Sequence, residues 1–440
     1  MNLNLASPHG TKCSPPVNPV ISFFSPHSSD FHFDNDFDLL WQSNLKSVSS
    51  TWTLHRNGFS TPFKEGKADA NLSNRYSTRI DTSELFPGFY DLKISVDLGN
   101  GKFETSSTTF AYKADEMFLY DSKPADFQEF WQKAKEEIDQ VNLDARYESQ
   151  LETFDEQAIN TYNLAHSALP ESYDPDGITH PTVDSQKVSF AGPDNGRVYG
   201  WLAKPQGEGP FPAMLILPGA GIAARPRPLE HARHGYLSLD IQIHGQDCCT
   251  DNYPQIDGYG KNEDFSAPKN FYYYKVHQRV LQALNYLDQR PDVDSSKIVV
   301  VGGSQGGRLS TVAASIDKRV AATIPCITHN GNHPYFTHAW KSNEAKNHGM
   351  DSETFDYDKS EENLCLAYYD VMNFSADIEC PVLMNMGITD PVSWASHVYA
   401  VYKNLNCQKQ IITLPNLAHD WCAEFDRRAW IWLKETLGEK

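Results

Sequence analysis

A chain of 440 residues with 57 acidic and 38 basic side chains carries a formal charge of −19, which repels phosphate backbones and anionic headgroups and argues against a nucleic-acid or membrane partner. Hydrophobic residues at 40% and aromatics at 12% supply a sizeable core and exclude a disordered, collagen-like or coiled-coil chain. The length exceeds one ordinary domain, and apolar runs such as Ala213 to Leu217 and Ile298 to Val301 fall far short of the roughly 20 residues that cross a bilayer.

The N-terminal part reads as β-structure. From Phe89 to Leu98, apolar Tyr90, Leu92, Ile94, Val96 and Leu98 alternate with polar Asp91, Lys93, Ser95 and Asp97, the period of a strand with one solvated face. Asn100-Gly101 predicts a hairpin turn into Lys102 to Tyr112. Ser50 to His55, ending at Asn57-Gly58, reads as another strand, so a small β-sandwich-like domain is expected over residues 1–115. After Pro124 the period changes. Phe127, Phe130, Trp131, Ala134 and Ile138 share one face of a helix, which predicts packing onto the domain formed by residues 116–440. Between Asp144 and Gln186 the signals are weak. From Lys187 a hairpin through Asp194-Asn195-Gly196 leads into strands at Met214 to Leu217, Leu237 to Ile241, Ile298 to Val301, Val320 to Ile324, Val382 to Met386 and Ile411 to Leu414. Helices alternate with them, one carrying Val276, Val280, Leu284 and Leu287 and a terminal one holding Trp430, Ile431 and Leu433. That alternation predicts an α/β fold of parallel strands joined by helical crossovers.

The chemistry gathers where those strands end. Ile298 to Val301 runs into Gly302-Gly303-Ser304-Gln305-Gly306 and then a helix from Arg308 to Ile316. A G-x-S-x-G between strand and helix is a nucleophile elbow: the turn is so tight that only small residues fit beside the serine, whose hydroxyl is lifted above the sheet. Gln305 would donate its backbone N–H to the developing oxyanion. A serine hydroxyl needs a histidine base and an acid to orient that base, in the chain order serine, acid, histidine for this fold. Asp390 follows the strand Val382 to Met386, and His419 follows Ile411 to Leu414, both at carboxyl ends of parallel strands, where such sheets carry their sites. The second oxyanion donor is expected in Pro218-Gly219-Ala220-Gly221, with Ala220 N–H first and Gly221 in reserve.

The sequence resembles the acetyl xylan esterase and cephalosporin C deacetylase family, carbohydrate esterase family seven. Gly303 to Gly307, Tyr272-Tyr273-Tyr274-Lys275, Cys380-Pro381-Val382-Leu383 leading to Gly387 and Asp390, and Pro124 to Trp131 carry the likeness, which runs from about residue 115 to the C-terminus; some members also carry an N-terminal β-domain. It implies an α/β-hydrolase fold, a triad of Ser304, Asp390 and His419 that needs no metal or other cofactor, oxyanion donors Gln305 and Ala220, and deacetylation of acetylated xylo-oligosaccharides and small acetyl esters. Three motifs depart from the family. Its Arg-Gly-Gln is here His244-Gly245-Gln246, its His-Glu is His419-Asp420, and its His-Gly-Tyr is Pro218-Gly219-Ala220.

The remaining features are less directive. His329, His333 and His338 suggest a metal, but they lie in an aromatic-rich loop without zinc-type spacing. Thr328 to Glu362 reads as an insertion over the site, with Tyr335, Phe336 and Trp340 lining it or packing helices. Tyr273 either stacks on a sugar or fills the sheet–helix interface, so Tyr273, Tyr335 and Trp340 are the candidate substrate contacts. The eight cysteines lack C-x-x-C spacing and read as reduced thiols. Met1 to Cys13 has no apolar run of signal-peptide length, which reads as cytoplasmic, or as periplasmic or secreted if the N-terminus was trimmed. The reading is a serine esterase acting on acetylated carbohydrate, with a homo-oligomer compatible. The alternatives are a hydrolase of peptides or larger non-sugar esters and a carbohydrate-binding protein with an idle triad. Small-ester hydrolysis is expected to survive removal of the β-domain, because every candidate catalytic residue follows residue 200.

Overall fold

The computed structural model describes residues 21–24, 32–44, 49–60, 62, 64–71, 75–166, 177–250, 255–335, 360–415 and 417–438. Trp340, Phe336, His338 and most of the expected insertion lie outside these residues, as does Cys13.

A ten-stranded sheet organises the larger part of the chain. Its principal strands are β1 (Val183–Ala191), β2 (Arg197–Pro205), β3 (Phe211–Leu217), β4 (Leu237–Gln242), β5 (Val293–Gly303), β6 (Val320–Cys326), β7 (Val382–Gly387) and β8 (Lys409–Leu414), and their spatial order is β1-β2-β4-β3-β5-β6-β7-β8. Strands β1 and β2 form the hairpin expected at Asp194-Asn195-Gly196, where Asp194 and Asn195 take positive φ. Strand β2 runs antiparallel to β4, and from β4 to β8 every pairing is parallel. Parallel neighbours need crossovers, so their carboxyl ends all open at one edge of the sheet. This is an α/β-hydrolase fold.

Because successive strand residues face opposite sides, the apolar β-strands feed two cores. Leu215, Val300 and Met384 face one side, where they meet Val276 and Val280 of α2 (Tyr273–Asp288), Leu309 and Ala313 of α3 (Gln305–Ile316), and Val398 of α4 (Ala395–Asn404). Met214, Val299 and Leu383 face the other and meet Phe425, Trp430 and Leu433 of α5 (Ala423–Leu437). Helix α1 (Phe127–Asp139) buries Phe127, Trp131, Ala134 and Ile138, as its spacing predicted. Trp131 packs against Tyr274 and Phe374 and donates from Nε1 to Tyr368 O at 3.0 Å. No described helix is long and apolar enough to cross a membrane.

Ahead of α1 the chain forms a four-stranded sheet and a five-stranded sheet. Phe37, Leu39 and Trp41 of the first meet Tyr90, Leu92 and Phe110 of the second in one core. Phe89 and Ala111 turn the other way and join the core of the ten-stranded sheet. The two parts therefore share apolar surface.

Candidate active site

The site begins with a strained turn. Ser304, at φ 57° and ψ −116°, links β5 to α3, a backbone region that side-chain-bearing residues seldom adopt. The residues two positions to either side are glycines because nothing else fits. A Cβ on Gly302 would lie 2.7 Å from Leu217 O, and one on Gly306 would lie 2.3 Å from the same oxygen. The turn is held by Ser304 N donating to Cys326 O at 3.0 Å.

Asp390 and His419 arrive from the ends of β7 and β8. His419 Nε2 is 3.0 Å from Ser304 Oγ, and its Nδ1 is 2.8 Å from Asp390 Oδ2. A carboxylate only accepts, so Nδ1 carries the proton and Nε2 is left to accept from the serine hydroxyl. The other carboxylate oxygen, Asp390 Oδ1, accepts from Val392 N and Ser393 N at 2.8 Å each. Asp390 is buried, whereas the His419 side chain keeps a quarter of its surface exposed, so this line of hydrogen bonds is fixed at the aspartate and open at the imidazole. Beside it, burial pushes His329 down to about 4, which keeps that ring neutral next to Asp390 and His419. These are the groupings expected of Ser304, Asp390 and His419 from the sequence.

The loop Pro218 to Gly221 is held from several directions. Gly221 N donates to Tyr259 Oη at 2.8 Å, and that hydroxyl donates to Gln305 Oε1 at 3.1 Å. Tyr273 Oη donates to the same Gln305 oxygen at 2.6 Å, and Gln305 Nε2 donates to Gly219 O at 3.2 Å. Burial pushes His244 down to about 4, so its neutral ring donates from Nε2 to Gly221 O at 3.1 Å and accepts at Nδ1 from Tyr272 Oη at 2.7 Å. Gly221 is committed at both its amide and its carbonyl. Gly221, the reserve donor, is thereby taken, and Ala220 N stays the candidate in the loop; Gln305 N is the first amide of α3, for which a helix has no internal acceptor.

Two of the candidate substrate contacts are engaged by other parts of the chain. Tyr335 packs edge-on against Phe59 at 5.7 Å and donates to Asn57 O at 2.8 Å, in the seam between the N-terminal sheets and α4. Tyr273 reaches the residue after Ser304, where its hydroxyl is taken by Gln305, and its ring is covered by the Arg308 guanidinium at 4.0 Å. It buttresses the elbow. Trp340 is outside the described residues. Sequence reasoning missed Tyr259, whose only local sign is its place between Gly258 and Gly260, both at positive φ (83° and 64°). Removing the Tyr259 hydroxyl should loosen the loop without removing a donor, so Tyr259→Phe is expected to lower kcat about tenfold at little-changed KM, less than the roughly 10²–10³ lost with an oxyanion donor itself. Steady-state kinetics on p-nitrophenyl acetate read this, and a rise in KM at wild-type kcat would contradict it.

Of the histidine cluster, His333 is half-buried, its pKa pushed down to about 4 by desolvation, and bonded to Asn363 Oδ1 at 3.3 Å. Among the described residues the group close enough to share an ion is Asp247, Cys248 and Cys249. There Lys187 already pairs with Asp247 at 2.5 Å, burial raises the Cys248 thiol, and both cysteines are free.

Residues 160–436 match the family described as acetyl xylan esterase (AXE1). The acetyl esterase Axe7A of Xylanibacter ruminicola is 27% identical over 365 residues, covering 80% of this chain and 75% of that protein. Among solved structures, the acetyl xylan esterase from Paenibacillus sp. R4 superposes with a TM-score of 0.56 at 23% identity, over 73% of this chain and 98% of that one. Acetyl xylan esterase 1 from Thermoanaerobacterium sp. gives the same TM-score at 21% identity, over 73% and 97%. These two likenesses support the α/β-hydrolase fold.

Proposed function

The chain belongs to the acetyl xylan esterase family, a carboxylic ester hydrolase on an α/β-hydrolase scaffold, and we propose that it removes acetyl groups from carbohydrate through Ser304, His419 and Asp390. The observation that carries the roles is the hydrogen-bonded line from Ser304 Oγ through the imidazole to Asp390 at 3.0 and 2.8 Å. Ser304 Oγ attacks the acetyl carbonyl while His419 Nε2 takes the hydroxyl proton. Negative charge developing on the carbonyl oxygen is received by Gln305 N and Ala220 N, whose dipoles are already oriented when it forms. His419 returns the proton to the sugar oxygen as the ester C–O bond breaks. Water, deprotonated by the same imidazole, then releases acetate from the acyl-serine. Asp390 holds the productive tautomer and offsets the charge on the imidazolium. The relative named an acetyl esterase and the family description support acetyl as the acyl group and acetylated xylan or xylo-oligosaccharide as the substrate.

The test is a comparison of p-nitrophenyl acetate, butyrate and octanoate together with acetate release from acetylated xylo-oligosaccharides. Acetyl is expected to be turned over fastest, with acetate released from the saccharide. An octanoyl preference, or no acetate from any acetylated saccharide, would overturn the substrate assignment.

A further inference from the structure

We propose that Asn57, in a turn of the N-terminal sandwich, is a positioning residue for the catalytic acid. The inference rests on the esterase reading above and extends it to a part of the chain that contributes no reacting group.

Helix α4 starts five residues after Asp390, and its N-cap, Trp394, gives no side-chain cap. The first amides of a helix lack internal acceptors and need an outside one when buried. Ser396, in that first turn, is 1% exposed, and its N–H donates to Asn57 Oδ1 at 3.0 Å across 339 residues of chain. The cap of α4 therefore comes from the other sheet system. Asn57 is itself fixed on all sides. Its Nδ2 donates to Asp91 Oδ1 at 2.8 Å, its backbone N–H donates to Phe89 O at 3.0 Å, and its carbonyl accepts from Tyr335 Oη at 2.8 Å. Since Asp91 accepts and Ser396 N donates, the amide has one orientation that satisfies both.

The next residue tightens the same joint. Gly58 N donates to Asp91 Oδ2 at 3.0 Å, and a Cβ there would lie 2.2 Å from the Trp394 ring. The indole thus rests directly on the turn, while its Nε1 donates to Pro391 O at 3.1 Å. Asp390 is bound to this short loop through Val392 N and Ser393 N. The loop carrying the acid is consequently pinned at one end by β7 and at the other by the sandwich. Without Asn57, the buried Ser396 amide must move to find an acceptor, and Asp390 moves with the loop. Removing the sandwich would also strip Phe89 and Ala111 from the core of the larger sheet. The expectation that small-ester hydrolysis survives that removal is reversed, because turnover depends on the acid's placement whatever the substrate's size.

The experiment uses the full chain and two readouts. Phosphonylation of Ser304 by an aryl phosphonate gives the fraction of active sites from its endpoint and the reactivity of the relay from its rate; hydrolysis of p-nitrophenyl acetate gives kcat per labelled site and KM. Displacing a reacting group by an ångström costs on the order of 10²-fold. Asn57→Ala is expected to lower both kcat per labelled site and the labelling rate by about tenfold to a hundredfold at near-constant KM. Asn57→Ser, whose hydroxyl stops one bond short of Ser396, gives the same result should the alanine variant not fold. Asn57→Asp combined with Asp91→Asn keeps an oxygen to cap α4 and exchanges donor and acceptor between the two side chains, and should recover most of the rate. Tyr399→Phe breaks a different seam bond on α4, to Asp115, and should keep wild-type kcat per labelled site. A wild-type rate in Asn57→Ala or Asn57→Ser, or an equal loss in Tyr399→Phe, overturns the proposal, since a merely structural seam changes the active fraction and not the rate of each active site. Wild-type protein that labels but turns over no ester would sink the esterase reading alone.

Discussion

Ser304→Ala is expected to lower kcat on p-nitrophenyl acetate by at least about ten-thousandfold while the protein stays folded. The size follows from what the hydroxyl does: without it no acyl-enzyme forms, and what remains is the modest acceleration that oxyanion donors give to attack by water. Stability should not fall, because the hydroxyl's hydrogen-bond partner here is His419, at 3.0 Å, and not a packing neighbour. Alanine keeps the Cβ, so the positive φ of the elbow and its strain persist unchanged. The thermal midpoint should stay within a few degrees of wild type, or rise slightly, as happens when a residue kept for function is replaced. Initial rates at high enzyme concentration, with a thermal melt on the same sample, provide the check. A variant retaining more than about a tenth of the activity would remove Ser304 from the mechanism.

Ser304, Asp390 and His419 were readable because each is tied to a local pattern. A β-branched strand, a turn of small residues and a helix specify the elbow in a few consecutive positions, and the other two lie just past apolar strands whose order follows from the crossovers. Ala220 was readable as a candidate because the loop after β3 must come up beside the elbow. What holds these residues in place was not readable. Tyr259 and His244 reach Gly221 from separate loops, and no spacing in the chain announces that three loops meet. His244 stood out only as a departure from the family's Arg-Gly-Gln, and its use as a neutral donor to a carbonyl depends on burial. Tyr335 reads either way in the sequence for a related reason: an aromatic residue in a loop has the same sequence signature whether it lines a pocket or fills a seam. Asn57-Gly58 reads as the end of the strand Ser50 to His55, and it follows the strand Ser49–Arg56 directly. Its second use, capping a helix 339 residues away, exists only once the two sheet systems are packed together.

Asp390→Asn should be nearly as damaging as loss of the nucleophile, with kcat down about 10⁴-fold, whereas Asp420→Asn should change it less than about threefold. Both acids are within reach by sequence, since Asp420 follows His419 directly and stands where the family has glutamate. Their hydrogen bonds separate them. Asp420 Oδ1 accepts from its own neighbour, Trp421 N, at 2.8 Å, a local turn bond with no part in the relay. Asp390 accepts at Oδ1 from two backbone amides and at Oδ2 from His419 Nδ1. In the asparagine variant the amide oxygen keeps the two backbone donors, because they cannot bond to an NH₂ group. The NH₂ is therefore turned toward His419, where it donates to Nδ1 and drives the imidazole proton to Nε2. In that tautomer Nε2 no longer accepts from Ser304, and the imidazolium formed during attack faces a neutral dipole in place of a carboxylate. The loss should appear in kcat and kcat/KM together, because the missing interaction strengthens in the transition state and contributes little to substrate binding. Parallel kinetics on the two variants, with folding checked by circular dichroism, decide the assignment. The reverse ranking would move the acid of the triad to Asp420.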